Sequence, residues 1–138
     1  MNKPQRILIV DDNSALREGL KSILSYFPTF DIVGEAVDGV EALNSVEKLL
    51  PDLVLMDISM PRMDGITATR EIKKNRPTTK VLVFTVHKTP EYLAAAHKAG
   101  ADGYLLKDSS RADLIQSIED FLAGNQGVSQ NFMELGSH

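Results

Sequence analysis

Short apolar runs alternate along the chain with longer stretches in which apolar residues recur every three or four positions. The runs are Ile7-Leu8-Ile9-Val10, residues 30–33, Leu53-Val54-Leu55-Met56, Val81-Leu82-Val83-Phe84 and Tyr104-Leu105-Leu106. Runs this short and continuous predict strands, most of them buried on both faces. Between them, Leu16, Leu20, Ile23 and Leu24 mark one amphipathic helix, Val40, Leu43, Val46 and Leu50 a second, and Ile66, Thr69 and Ile72 a weaker third. Leu114, Ile115, Ile118, Phe121 and Leu122 form the strongest helical stripe. Residues 92–99 have helical propensity but few large apolar side chains, which predicts a partly exposed, loosely anchored helix.

The punctuation agrees. Asp38 with Glu41 has capping-box spacing, Thr89-Pro90 fits an N-cap followed by proline, and Ser109 or Ser110 with Asp113 can start the last helix. Strands alternating with helices imply right-handed crossovers and a doubly wound α/β fold with a parallel sheet covered on both faces. No repeat, low-complexity tract or linker precedes Gly124. Asn125-Gln126-Gly127 stops the last helix, and residues 128–135 are too few for a second domain. The expected organisation is one domain over 1–126 and a linker stub with an appended tail over 127–138, with Gly136-Ser137-His138 set aside.

Composition narrows the function. At 138 residues a single core is expected, and with no cysteine the chain has neither a disulfide nor a thiolate metal site. A net charge of -4 argues against electrostatic binding to nucleic acid or to an anionic membrane. No apolar run approaches the roughly 18 residues of a spanning helix. The start, Met1-Asn2-Lys3-Pro4-Gln5-Arg6, lacks the pattern of a signal peptide, so a soluble cytoplasmic domain is expected.

In an open parallel sheet, ligands bind beyond the carboxyl ends of the strands. There the first run ends in Asp11-Asp12, the third in Asp57, the fourth in Thr85 and the fifth in Lys107. Singly, each has an ordinary reading: a turn or cap for the aspartates, a β-branched strand residue for Thr85, a solvated charge for Lys107. Together they place three carboxylates, a hydroxyl and an ammonium on one edge. Clustered carboxylates repel unless a cation compensates them, and oxygen ligands of this kind suit Mg²⁺ with a phosphate. The inference is phosphoryl transfer to a carboxylate nucleophile, with the cation and Lys107 offsetting the developing charge.

These residues, with Asp57-Ile58-Ser59-Met60-Pro61-Arg62-Met63-Asp64-Gly65 after the third run and Tyr104 on the fifth, resemble a bacterial two-component response-regulator receiver domain over residues 5–123. The resemblance implies a flavodoxin-like, CheY-like sheet of five strands in the order 2-1-3-4-5. It implies that Asp57 is phosphorylated by a sensor histidine kinase. Asp12 and Asp57 would ligate Mg²⁺, for which Mn²⁺ could substitute, together with the Ser59 backbone carbonyl, and Asp11 would act through water. Thr85 and Lys107 would hold the phosphoryl oxygens. Thr85 would then move toward the phosphoryl and Tyr104 turn inward, altering a face of helix 4, strand 5 and helix 5 used for homodimerisation or partner docking. The domain would catalyse only its own phosphorylation and dephosphorylation.

Thr85-Val86-His87 and Lys107-Asp108 resemble the NarL/FixJ-like subfamily, whose receivers precede a LuxR-type helix-turn-helix domain. Here the chain stops soon after Gln126, so the expectation is a receiver from a longer transcription factor, reaching DNA only through a C-terminal domain absent from this chain, or else a single-domain regulator. An Asp-nucleophile phosphatase of the haloacid dehalogenase type is disfavoured, because Ser59 stands where that family needs a second Asp. A pure interaction module is disfavoured by the intact set. His87 and His97 read as solvated, although His87 and Ser59 could border the path of an attacking water and tune phosphoryl lifetime. Met56, Met60 and Met63 read as core and loop filler, Lys73-Lys74 as an exposed helix side, and Pro61, Asp64 and Gly65 as turn and cap.

Overall fold

The computed structural model describes residues 3–123. The expected domain boundary at 126 and the tail over 127–138 lie outside the described residues. The chain runs β1 (Gln5–Val10), α1 (Ser14–Leu24), β2 (Phe30–Ala36), α2 (Gly39–Leu49), β3 (Leu53–Met56), α3 (Gly65–Asn75), β4 (Lys80–Thr85), α4 (Pro90–Lys98), β5 (Gly103–Leu106) and α5 (Arg111–Leu122). All strand pairings are parallel and the order is β2-β1-β3-β4-β5, as expected.

Alternation along the strands divides the core. Ile7, Ile9, Leu55, Leu82 and Phe84 pack with Leu20 and Leu24 of α1 and with Leu114, Ile118 and Phe121 of α5. Leu8, Val10, Val54 and Met56 point the other way, onto Ala42 and Val46 of α2 and Ala68 and Ile72 of α3. Val83 and Tyr104 continue that face beneath Leu93 and Ala96 of α4. Strands covered on both sides need apolar residues at every position, which is why their sequence is continuous rather than alternating. The exception is β2, an edge strand bonded only to β1, where Asp31 and Glu35 are exposed.

Two helix readings change. Val40 and Leu50, placed on the inner stripe of α2, are 40% and 51% exposed. The buried positions are Gly39, Ala42 and Val46, because small residues let the helix approach the sheet, and Leu50 lies past the helix end in a left-handed C-cap at φ 49°. Lys73 is not on an exposed side. Its ammonium donates to the carbonyls of Pro77 and Thr79, each at 2.9 Å, and to Asp102 Oδ2 at 2.8 Å. Lys74 is exposed as expected.

The caps form largely as the spacing predicts. Asp38 accepts from the Glu41 N–H at 2.9 Å and Ser110, rather than Ser109, from the Asp113 N–H at 3.1 Å. Thr89 occupies the N-cap of α4 with Pro90 after it but makes no side-chain cap bond. Only Leu93 and Ala96 of α4 are buried, which agrees with its sparse apolar stripe. Among the described residues, no helix is long and apolar enough to cross a membrane.

Candidate functional site

Aligned strand ends bring the residues that follow them to one edge of the sheet. Val10 pairs with Met56, Met56 with Val83, and Thr85 with Leu106. The ladders extend one residue further: the Asp57 N–H donates to the Val10 carbonyl at 3.0 Å and the Lys107 N–H to the Thr85 carbonyl at 2.8 Å. Asp11, Asp57 and Thr85 are thereby buried, while Asp12 stays exposed. One oxygen from each of Asp11, Asp12 and Asp57 falls within 4.8 Å of the others.

Lys107 reaches into this group. Its Nζ lies 2.6 Å from Asp11 Oδ2 and 3.3 Å from Asp57 Oδ1. Burial, and then the adjacent Asp11 charge, raise the Asp57 carboxyl above the usual aspartate range, with Lys107 opposing. One ammonium among three carboxylates leaves an oxygen-only pocket with excess negative charge. Such a donor set fits a hard divalent cation.

The loop after Asp57 is pinned on both sides. A Cβ on Gly65 would stand 1.8 Å from the Asp57 carbonyl oxygen, so only glycine lets α3 begin this close to the site. The Gly65 N–H donates to the Ile58 carbonyl at 2.8 Å, and Asp64 caps α3 through the Thr67 N–H at 2.8 Å. Arg62, at φ 64°, donates from Nε to Asp38 Oδ2 at 2.6 Å, tying the loop to the start of α2. Gly65 and Asp64 are thus turn and cap as expected, but Gly65 also determines how near the helix lies to Asp57.

Thr85, His87 and Tyr104 are tied to one another around the loop that follows β4. Thr85 Oγ1 accepts from the His87 N–H at 3.3 Å, and the Tyr104 hydroxyl donates to the His87 carbonyl at 2.8 Å. Tyr104 is 1% exposed and already stands inward, where the resemblance implied that it turns only after Thr85 moves, and burial pushes its phenol up to about 12. His87 is half-buried rather than solvated: Nε2 lies 2.6 Å from Ser59 Oγ, and its ring stacks on Tyr92 at 4.1 Å between centroids. His97 is exposed near the end of α4. Sequence reasoning missed Arg17, whose Nη1 donates to the Asp11 carbonyl at 2.6 Å. Its position one helical turn past Asn13 was the only signal.

The family model for the response regulator receiver domain matches residues 7–119. The transcriptional regulatory protein DegU of Brevibacillus brevis is 43% identical over 118 residues, covering 86% of this chain and 50% of DegU. The nitrate/nitrite response regulator protein NarL of Escherichia coli strain K12 is 37% identical over 128 residues, covering 93% of this chain and 59% of NarL. The chain therefore spans between half and three-fifths of these relatives. Among solved structures, a LuxR-family two-component response regulator from Aurantimonas sp. SI85-9A1 superposes with a TM-score of 0.87 at 35% identity, covering 99% of this chain and 100% of that one.

Proposed function

The chain belongs to the response regulator receiver family, as a receiver of the NarL/LuxR type, and from that premise we propose that Asp57 accepts a phosphoryl group from a sensor histidine kinase. An Asp57 oxygen attacks the phosphorus of a phosphohistidine; the O–P bond forms, the P–N bond breaks, and the imidazole leaves with the electron pair and takes up a proton. Asp12, Asp57 and the Ser59 carbonyl are the residues to hold Mg²⁺ or Mn²⁺, with Asp11 acting through water. When bound, the cation neutralises charge on the phosphoryl oxygens. Lys107, already between Asp11 and Asp57, binds a phosphoryl oxygen as an ion pair, and the Thr85 hydroxyl donates to another. The chemistry is confined to the domain's own phosphorylation and dephosphorylation.

The output is a change of shape. Thr85 gives up the His87 N–H as it turns to the phosphoryl, and Tyr104 holds the same residue by its carbonyl, so the β4–α4 loop follows the occupancy of Asp57. Converting a 1:99 equilibrium to 99:1 requires about 5.5 kcal/mol, within reach of several charge-assisted contacts but not of one hydrogen bond. The face of α4, β5 and α5 then docks a partner or a second copy. Transcription is controlled through a C-terminal DNA-binding domain outside this chain, in the cytoplasm.

The observation that carries the reading is the convergence of Asp11, Asp12 and Asp57 with Lys107 at one strand edge. The test is intact mass after incubation with acetyl phosphate or phosphoramidate and Mg²⁺, quenched in denaturant at successive early times. One added phosphoryl group, lost in Asp57→Asn, is expected. Wild-type protein without the adduct at any time, or an Asp57→Asn protein that still carries it, overturns the reading.

A further inference from the structure

The turn that carries Asp11 and Asp12 spans only three residues between the end of β1 and the start of α1. Its first carboxylate is occupied on both oxygens. Asp11 Oδ1 accepts from the Asn13 N–H at 2.9 Å, and Oδ2 pairs with Lys107. Asp12 is exposed, so packing does little to aim it. What holds its peptide is Arg17, one turn into α1.

Arg17 Nη1 donates to the Asp11 carbonyl at 2.6 Å, and Nε donates to Glu35 Oε1 at 3.0 Å on the neighbouring strand β2. Glu35 Oε2 is held in turn by Lys21 at 2.9 Å, and the two cations keep its carboxyl below the usual glutamate range, Lys21 contributing most. The Arg17 side chain is only 15% exposed. A planar guanidinium fastened at two donors has little freedom, and a charged donor to a carbonyl is among the stronger hydrogen bonds. The Asp11 carbonyl and the Asp12 amide belong to one rigid peptide unit. Fixing that carbonyl therefore fixes the peptide plane that ends at the Asp12 Cα, and with it the point from which the Asp12 side chain departs.

We propose that Arg17, braced by Glu35, is a positioning residue that sets the direction in which Asp12 presents its carboxylate to a divalent cation. This rests on the reading that Asp11, Asp12 and Asp57 hold such a cation. Two other roles give different outcomes. If Arg17 acts only through its charge, it repels the cation, and removing it tightens binding. If it acts only in packing, its loss lowers thermal stability and leaves affinity unchanged.

The experiment is calorimetric titration of Mn²⁺ into the wild-type chain, Arg17→Lys, Arg17→Gln, Glu35→Gln and Asp57→Asn, with metal-free thermal melts beside each. Arg17→Lys keeps the charge but loses the fork, and is expected to bind about tenfold more weakly, the lower end for partners that orient metal ligands. Arg17→Gln and Glu35→Gln should also weaken binding, the latter less. Tighter binding in Arg17→Gln, or wild-type affinity in both Arg17→Lys and Glu35→Gln, overturns the proposal. Should the Arg17 variants fail to fold, Glu35→Asp, which keeps the charge but draws the carboxylate back from Arg17, decides: weaker binding supports the proposal and unchanged affinity overturns it. Wild-type protein that binds no Mn²⁺, or Asp57→Asn that binds as well as wild type, overturns the cation site itself, a result separable from any change at Arg17.

Discussion

The Ser59 hydroxyl oxygen and His87 Nε2 stand 2.6 Å apart, joining the loop that follows β3 to the loop that follows β4. Each residue lies two positions beyond a site residue, Asp57 and Thr85 respectively. His87 is braced from behind by the Tyr92 ring. A bridge that outlasts the shift of the β4–α4 loop would narrow the approach of water once Asp57 carries a phosphoryl group. Ser59→Ala should therefore hydrolyse its acyl phosphate about fivefold faster, the rate equivalent of one hydrogen bond of about 1 kcal/mol. The decay of the phosphorylated mass over time checks it, and an unchanged or slower decay removes the bridge from the account.

Asp57 itself should oppose stability when no cation is present. Its carboxyl is raised by burial and by Asp11, so the folded state holds the proton more tightly than the unfolded chain does. Stability linked to that proton is fully present below the unfolded aspartate value and is lost as pH rises through the folded value. Asp57→Asn should consequently melt above wild type at neutral pH without metal, with the gap closing on acidification. Adding Mg²⁺ should raise the wild-type Tm more than that of the variant. Thermal melts across pH, with and without Mg²⁺, measure both effects.

Most of the fold was legible because every strand but the edge strand β2 is a continuous apolar run and every helix but α4 carries a clear apolar stripe. Asp11, Asp12, Asp57, Thr85 and Lys107 were legible because a parallel sheet carries the ends of its strands to one edge, where the structure brings the three carboxylates and Lys107 together. What escaped were contacts between elements distant in sequence. Lys73 sits next to Lys74 and looks the same, but helical rotation turns it toward Asp102, 29 positions away. Arg17 meets Glu35 only because β2 lies at the edge beside β1. The stripe of α2 misled because large residues were scored above Gly39 and Ala42, which the close approach of helix and sheet requires.

Lys73 acts as a staple for the lower edge of β4. Its ammonium has three acceptors, and Asp102 Oδ2 also accepts the Val81 N–H at 2.9 Å. Gly100, at φ 98°, passes close by, where a Cβ would meet Lys73 Cγ at 3.2 Å. Lys73→Met keeps the aliphatic stem but removes the charged donor from all three acceptors, leaving Asp102 only the Val81 N–H, and should cost about 2 kcal/mol, while Lys74→Met should change stability by less than about 0.5 kcal/mol. Denaturant unfolding of the two variants tests the contrast. Equal effects would return Lys73 to the exposed side that its neighbour occupies.

Tyr104 offers a test at alkaline pH. Its hydroxyl donates to the His87 carbonyl, and burial raises the phenol from 10.0 to about 12. The unfolded chain therefore releases this proton first. Its contribution to stability is intact below pH 10 and falls as pH climbs through the folded value. Tyr104→Phe cannot ionise and lacks the hydrogen bond. At neutral pH it should be less stable than wild type by about 1 kcal/mol. Above pH 10 the wild type should lose stability relative to the variant, by roughly 2 to 3 kcal/mol at most, enough to reverse their order. Taking the difference between the two proteins removes the lysines and other tyrosines that titrate in the same range. A gap that stays constant from neutral to strongly alkaline pH would mean that the phenol ionises as readily in the folded protein as in the unfolded chain, and that the inward position of Tyr104 opens to water.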